Sequence, residues 1–266
     1  MPPTTIRYFS LCLLVSLACC TSPSKKETIE GPALIPFKVR NTFPHDKQAF
    51  TEGLEIHNGQ LYESTGQENS WIGRVNINTG ISDKMVVLDK KYFGEGITII
   101  NNKVYQLTWK SKVCFVYDLQ TFRKVNEFHY GTEGWGMAHD STRLIMSDGT
   151  STLYFRDTLT FGIKKKLQVK YQGKPVNNLN ELEYMDGFIY ANVWRTNWIA
   201  RIDPTNGEVA GFMDLSPLVR QTQLLSPQAD VLNGMAWHEG TRSLLVTGKY
   251  WPYIYVLKME GPGPLK

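Results

Sequence analysis

The chain has 266 residues, 42% of them hydrophobic and 20% charged, enough for one large domain or two small ones and too apolar for a disordered protein. Its 29 basic and 25 acidic residues leave a formal charge of +4 and are interspersed rather than gathered in a stripe, which argues against a nucleic-acid partner. No run of about 18 or more apolar residues occurs, so nothing spans a bilayer once the leader is removed.

That leader is residues 1–18: an apolar run from Ile6 to Ala18, with Arg7 as the nearby positive charge, reads as a secretory signal. It ends in Leu17-Ala18-Cys19-Cys20. A cysteine after a small residue at such a place resembles the lipobox of bacterial lipoproteins, in which the thiol is diacylated and becomes the new N-terminus. Cys19 follows Ala18 but has Ser16 where leucine is usual; Cys20 has Leu17 in that place but Cys19 before it. Lipid attachment is therefore expected at Cys19 or Cys20, with the protein held in the bacterial cell envelope, periplasmic or surface-facing, by the lipid alone. Residues 19–33, rich in Ser, Pro, Lys and Glu, are too polar to pack and form a tether. Of the 4 cysteines only Cys114 lies in the remaining body, 34–266, so no disulfide forms within it. Its setting, Val113-Cys114-Phe115-Val116-Tyr117, is that of a buried strand, without the cation or imidazole a reactive thiol needs.

The body consists of short runs rich in Val, Ile, Tyr, Leu and Trp between 22 Gly and 13 Pro, a pattern of strands and turns that excludes long helices. A strand over Ile35 to Phe43 comes first. Five similar units follow, beginning Glu52-Gly53-Leu54, Glu95-Gly96-Ile97, Trp135-Gly136-Met137, Asn180-Glu181-Leu182 and Asn233-Gly234-Met235. Each continues with a polar turn and a second strand, which contains Tyr62, Tyr105, Ile145, Tyr190 or Leu245, positions 43, 40, 45 and 55 residues apart. Such periods with four short strands per unit predict a β-propeller, all-β, with five four-stranded antiparallel blades. The fifth unit has room for three strands, so the strand over Ile35 to Phe43 is expected to complete it and close the ring. The widest spacing holds an insert, Ser216 to Asp230, whose Pro217 and Pro227 suggest a surface loop.

In a propeller the first strands of all blades line the central channel and their starts meet at one mouth. Glu52, Glu95, Trp135, Asn180, Glu181 and Asn233 stand at first-strand starts, and Trp109, Trp194 and Lys249 stand at equivalent second-strand ends. Carboxylates, amides, an ammonium and indoles brought together describe a site for a small polar substrate. The 5 histidines show no metal-ligand spacing and read as surface or turn residues. No nucleophile elbow, zinc-protease, P-loop or dinucleotide motif occurs, and neither metal nor cofactor is expected.

Ten motifs in order and register over about residues 50–257 resemble the plant and bacterial type of glutaminyl-peptide cyclotransferase. They include Phe50-Thr51-Glu52-Gly53-Leu54, Tyr92-Phe93-Gly94-Glu95-Gly96, Glu133-Gly134-Trp135-Gly136, Leu179-Asn180-Glu181-Leu182, Ala191-Asn192-Val193-Trp194, Leu232-Asn233-Gly234-Met235 and Gly248-Lys249-Tyr250-Trp251-Pro252. The resemblance implies a five-bladed propeller that converts the N-terminal glutamine of peptides to pyroglutamate with loss of ammonia. It implies Glu95 as acid/base catalyst, Asn180 and Lys249 binding or polarising the substrate, and a pocket of Phe50, Trp109, Trp135 and Trp194. Glu52, Glu181 and Asn233 join the expected substrate-binding set from their place at the mouth. The sequence departs from the family at Glu52, where that motif normally has Gln; a second carboxylate would either anchor the substrate's α-ammonium or raise the proton affinity of Glu95. Two other readings stay open: a calcium-dependent, lactonase-like hydrolase with Glu52, Glu95, Asn180 and Asn233 around the ion, and a non-catalytic envelope scaffold on the same fold. A monomer is expected.

Overall fold

The computed structural model describes Met1 and residues 32–260. The rest of the leader after Met1, both candidate lipid-bearing cysteines and the tether up to Gly31 lie outside the described residues.

Five four-stranded antiparallel sheets follow one another around a ring. Blade 1 is Thr51–His57, Gln60–Thr65, Trp71–Val75 and Ser82–Val87; blade 2 is Gly94–Ile100, Lys103–Thr108, Val113–Asp118 and Lys124–His129. Blade 3 is Met137–His139, Leu144–Met146, Thr152–Arg156 and Ile163–Gln168; blade 4 is Leu179–Met185, Phe188–Val193, Trp198–Ile202 and Val209–Asp214. Blade 5 takes Leu232–His238, Ser243–Gly248 and Tyr253–Met259 from the end of the chain and Phe37–Pro44 from its start. That last strand pairs from Phe37 opposite Met259 to Pro44 opposite Tyr253, so the edge of blade 5 is covered and the ring is closed as the repeat arithmetic expects.

Burial grades across each blade for a simple reason. The inner strand has neighbours on both faces and at both ends of the channel, and all seven residues of Gly94–Ile100 are buried. The outer strand Lys124–His129 has only its Phe128 partly covered. The core therefore lies between blades rather than in one centre; one cluster joins Met185, Tyr190 and Met213 of blade 4 to Met235, Val246 and Tyr255 of blade 5. Cys114 is a buried apolar residue of blade 2, and burial raises its thiol well above the ordinary range.

Glycines set how narrow the channel is. A Cβ on Gly53 would lie 2.7 Å from Ile97 N and one on Gly96 2.5 Å from Met137 N, and one on Gly136 would collide with the Asn180 carbonyl. Only glycine allows the inner strands this close. Blade 4 breaks the pattern with Glu181, whose carboxylate crosses to accept from Leu54 N at 3.3 Å and Met235 N at 3.0 Å.

The insert after blade 4 is not a loop throughout. Ser216–Leu225 is an α-helix that buries Leu218, Val219 and Thr222 on one face. Pro217, which suggested a loop, stands in the first turn, where its missing N–H has no intrahelical partner to lose. His45 is likewise no surface residue; it is buried, with Nε2 3.1 Å from Glu63 Oε1 and Nδ1 2.8 Å from the Trp251 carbonyl.

Candidate active site

Four of the five inner strands share one irregularity, Met137–His139 of blade 3 being the exception. Pairing with the second strand slips between Thr51 and Gly53, Gly94 and Ile97, Leu179 and Leu182, and Leu232 and Met235. A bulge re-aims the side chain it releases from the ladder. The residues released are Glu52, Glu95, Asn180 and Asn233, together with their neighbours, so the polar groups at the mouth come from a repeated backbone defect. The loops opposite contribute through strain: Arg195 and Tyr250, directly after Trp194 and Lys249, hold left-handed φ values of 64° and 60°.

These elements enclose a cavity of about 220 Å³ lined by Phe50, Glu52, Gln67, Phe93, Glu95, Trp109, Trp135, Asn180, Trp194 and Lys249. A larger cavity of about 690 Å³ lies between blades 1 and 5, lined by Phe43, Ile56, Leu61, Leu245 and Val256 among others, and none of the mouth residues reaches it. The smaller one holds the chemistry. Lys249 Nζ donates to Glu52 Oε1 at 2.7 Å and stands 4.3 Å from the centre of the Phe50 ring. Asn233 Nδ2 donates to Glu52 Oε2 at 3.0 Å and to the Thr51 carbonyl at 3.0 Å. Glu95 is also buried, but among the described residues its carboxylate has no hydrogen-bond partner and faces the cavity. The Asn180 side-chain amide is similarly uncommitted, with Oδ1 buried and unpaired. In a dry wall, such groups are ready to bind a ligand's polar atoms.

Of the ten residues expected at the site from the sequence, eight line the cavity. Asn233 stands behind Glu52 and fixes it, and Glu181 is occupied in the channel below by two backbone N–H groups. Gln67 and Phe93 line the wall without having been singled out, although Phe93 belongs to the motif that holds Glu95. Glu133 was missed as well: its Oε2 accepts from Trp109 Nε1 at 2.7 Å and from Trp135 Nε1 at 3.0 Å.

The family model described as glutamine cyclotransferase matches residues 11–259. The chain belongs to the glutamine cyclotransferase family. A glutaminyl-peptide cyclotransferase of Arabidopsis thaliana is 42% identical over 222 residues, covering 82% of this chain and 69% of the plant protein. The crystal structure of Myxococcus xanthus glutaminyl cyclase is similar at 33% identity with a TM-score of 0.81, covering 86% of this chain and 99% of that one. A PQQ-bound aldose sugar dehydrogenase from Streptomyces coelicolor, at 14% identity and a TM-score of 0.54, shares the fold alone.

The cyclotransferase mouth is electrostatically unusual because its carboxylates are buried. Burial, then the charge of Glu52, holds Glu95 well above the usual carboxylate range, against the pull of Lys249 and with Glu133 adding to the rise. Burial pushes Glu52 up to about 7 even though Lys249 pulls it down. Lower in the channel, Glu183 is pushed to about 7 and Glu55 and Glu181 are raised, in each case chiefly by burial.

A group whose folded pKa lies above its unfolded value takes up a proton on folding, so stability falls as pH rises from the unfolded pKa through the folded one. The five carboxylates act in this sense, and so does His45, which Glu63 holds above its ordinary value despite burial. His57 and His139, lowered by burial, act in the opposite sense around their ordinary value of 6.5. Between about pH 5 and 8 these six groups outweigh the two, while Asp118, Glu127, Asp140, Asp157 and Asp203, held below their ordinary values, weaken the fold only at lower pH, so the melting temperature should be highest near about pH 5 and fall toward about pH 8. Calorimetry across that range checks this; a melting temperature that rises with pH would contradict it.

Proposed function

We propose that this chain converts the N-terminal glutamine of peptides to pyroglutamate with release of ammonia, and that Glu95 is the general acid/base. The observation that carries the reading is a buried carboxylate with no hydrogen-bond partner among the described residues, beside an uncommitted amide and an ammonium inside an aromatic cage. At about 220 Å³ the cavity is smaller than the roughly 300–1,000 Å³ typical for drug-sized ligands, so it suits one terminal residue with the rest of the peptide outside.

The nucleophile is part of the substrate. The α-amine nitrogen attacks the γ-carboxamide carbon, forming a C–N bond and closing the five-membered ring, while Glu95 takes a proton from that nitrogen. The carbonyl electrons move onto oxygen, where the Asn180 amide and the ammonium of Lys249 stabilise the developing negative charge. The intermediate then collapses: Glu95 returns its proton to the departing nitrogen, the original C–N bond breaks, and ammonia leaves. The raised proton affinity of Glu95, caused first by burial and then by the charge of Glu52, makes it a stronger base than an ordinary carboxylate. Glu52 cannot readily anchor the substrate amine, because both its oxygens are held, by Lys249 and by Asn233. Its role is to place Lys249. The same pairing counts against the calcium-dependent reading, since an ammonium occupies the carboxylate that the ion would need.

The test is ammonia release from a Gln-initiated dipeptide amide, with the peptide's mass followed in parallel. Release matched by the loss of one ammonia from the peptide, unaffected by chelator, is expected; no release by folded protein would refute the assignment. We also propose, on the sequence alone, that the protein is exported, lipid-anchored through Cys19 or Cys20, and monomeric. Labelling with a radioactive fatty acid should fail in one of the variants C19A and C20A, and labelling of both, or of neither the wild type nor a variant, would remove the anchor.

A further inference from the structure

The aromatic wall of the cavity is built in two pieces. On one side rings touch in sequence, Tyr250 to Phe50 at 5.1 Å, Phe50 to Phe93 at 6.0 Å and Phe93 to Trp109 at 5.5 Å. On the other, Trp135 meets Trp194 edge to face at 5.3 Å. Trp109 comes from the upper hairpin of blade 2 and Trp135 from the loop leading into blade 3, and no ring contact joins them. The Glu133 carboxylate stands in that gap. A single oxygen, Oε2, accepts from both indoles, and the backbone repeats the link, because Gly134 N donates to the Trp109 carbonyl at 3.4 Å.

Glu133 makes no ion pair among the described residues, so its two indole donors are its only side-chain partners there. An indole has one N–H and no acceptor, and when that donor is fixed the plane of the ring is fixed with it. Hydrogen bonds to an ionised acceptor are about twice as strong as neutral ones, which makes a carboxylate the better clamp than an amide. The placement leaves Glu133 outside the lining of the cavity, touching the walls but not the space they enclose.

We propose that Glu133 is a positioning residue that locks Trp109 and Trp135 into one continuous wall and thereby sets how tightly the terminal glutamine is held. The consequence for substrate rests on the cyclotransferase reading; the clamp itself does not. Its charge also faces Glu95, together with those of Glu52 and Lys249, so it belongs to the set of groups that decide where the acid limb of the pH profile falls.

The experiment compares wild type with E133Q and E133A. In ¹H–¹⁵N spectra the indole N–H signals, assigned with W109F and W135F, should be slow to exchange in the wild type. Both should move and exchange faster in E133A, while E133Q, which keeps an acceptor oxygen, should hold them near their original positions. With a Gln-initiated dipeptide amide, E133A should raise KM about tenfold with kcat changed little, and E133Q should restore most of that loss, the scale expected for hydrogen bonds lost and regained. Both E133Q and E133A should shift the acid limb of kcat/KM to lower pH, because removing a negative charge facing Glu95 lets it ionise more easily. Indole signals in E133A that match the wild type, or fast exchange of both indoles in the wild type itself, would overturn the clamp, and the wild-type measurement decides even if E133A does not fold. If the wild type releases no ammonia but the indole signals respond as stated, the cyclotransferase reading fails and the clamp stands.

Discussion

Glu95→Gln should lower ammonia release by at least about 100-fold, the range associated with removing a positioned general acid/base. It should do so without harming the fold. The Glu95 carboxylate has no hydrogen-bond partner within the described residues and its ionised form is disfavoured by burial and by Glu52. An uncharged amide of the same shape removes that penalty, so the variant should melt at the wild-type temperature or above it at about pH 8, where the native carboxylate is most costly. A loss of activity joined to a gain in stability is the signature of a group kept for chemistry rather than for structure. Substantial turnover in a folded Glu95→Gln protein would sink the mechanism; loss of activity with unfolding would leave Glu95 a structural residue.

Much of the molecule is readable from the chain because the repeat converts position in sequence into position in space. Once five units are aligned, Trp109, Trp194 and Lys249 must share one rim, and Glu52, Glu95 and Asn180 one mouth. The propeller, its closure by the N-terminal strand and seven of the eight lining residues follow from that, while Phe50 comes from the family resemblance. What escaped depends on direction and on pairing at long range. Periodicity says that Asn233 and Glu181 stand at the mouth, but not that the first points behind Glu52 and the second into the channel below. The pairing of Glu52 with Lys249 spans 197 residues and leaves no local trace. Glu133 is a lone loop carboxylate, a type that ordinarily faces solvent, and only its place two residues before Trp135 could have drawn attention. The helix Ser216–Leu225 was hidden by Pro217, since a proline signals a loop unless it falls in a first turn. His45 was hidden because its partner Glu63 lies in the second strand of blade 1, 18 residues away.

Lys249→Met should be nearly as damaging to turnover as the loss of Glu95 and should, unlike that change, destabilise the fold. The ammonium is one of two groups placed to stabilise the oxyanion, and removing such a donor costs about 10²–10³ in kcat. It is also the cation that makes a buried Glu52 tolerable, since the side chains of both are almost wholly enclosed. Removing one partner of a buried ion pair costs about 3–5 kcal/mol because the other charge is left uncompensated. For a chain of this size that corresponds to roughly 6–20 °C in melting temperature. The loss depends on pH in a defined direction. Glu52 already titrates near 7 with Lys249 in place, and without it the carboxyl holds its proton more tightly still, so below that point it is neutral and the penalty shrinks. The difference in melting temperature between wild type and Lys249→Met should therefore be largest at about pH 8 and small at about pH 5.5. Adding Glu52→Gln to Lys249→Met should recover most of the stability at the higher pH, because the stranded charge is gone and the amide oxygen can still accept from Asn233. It should recover none of the turnover, because the missing ammonium acts on the substrate. A double variant as inactive as Lys249→Met but as stable as wild type would separate the two duties of this lysine; one that regained activity would mean that Lys249 serves only to neutralise Glu52.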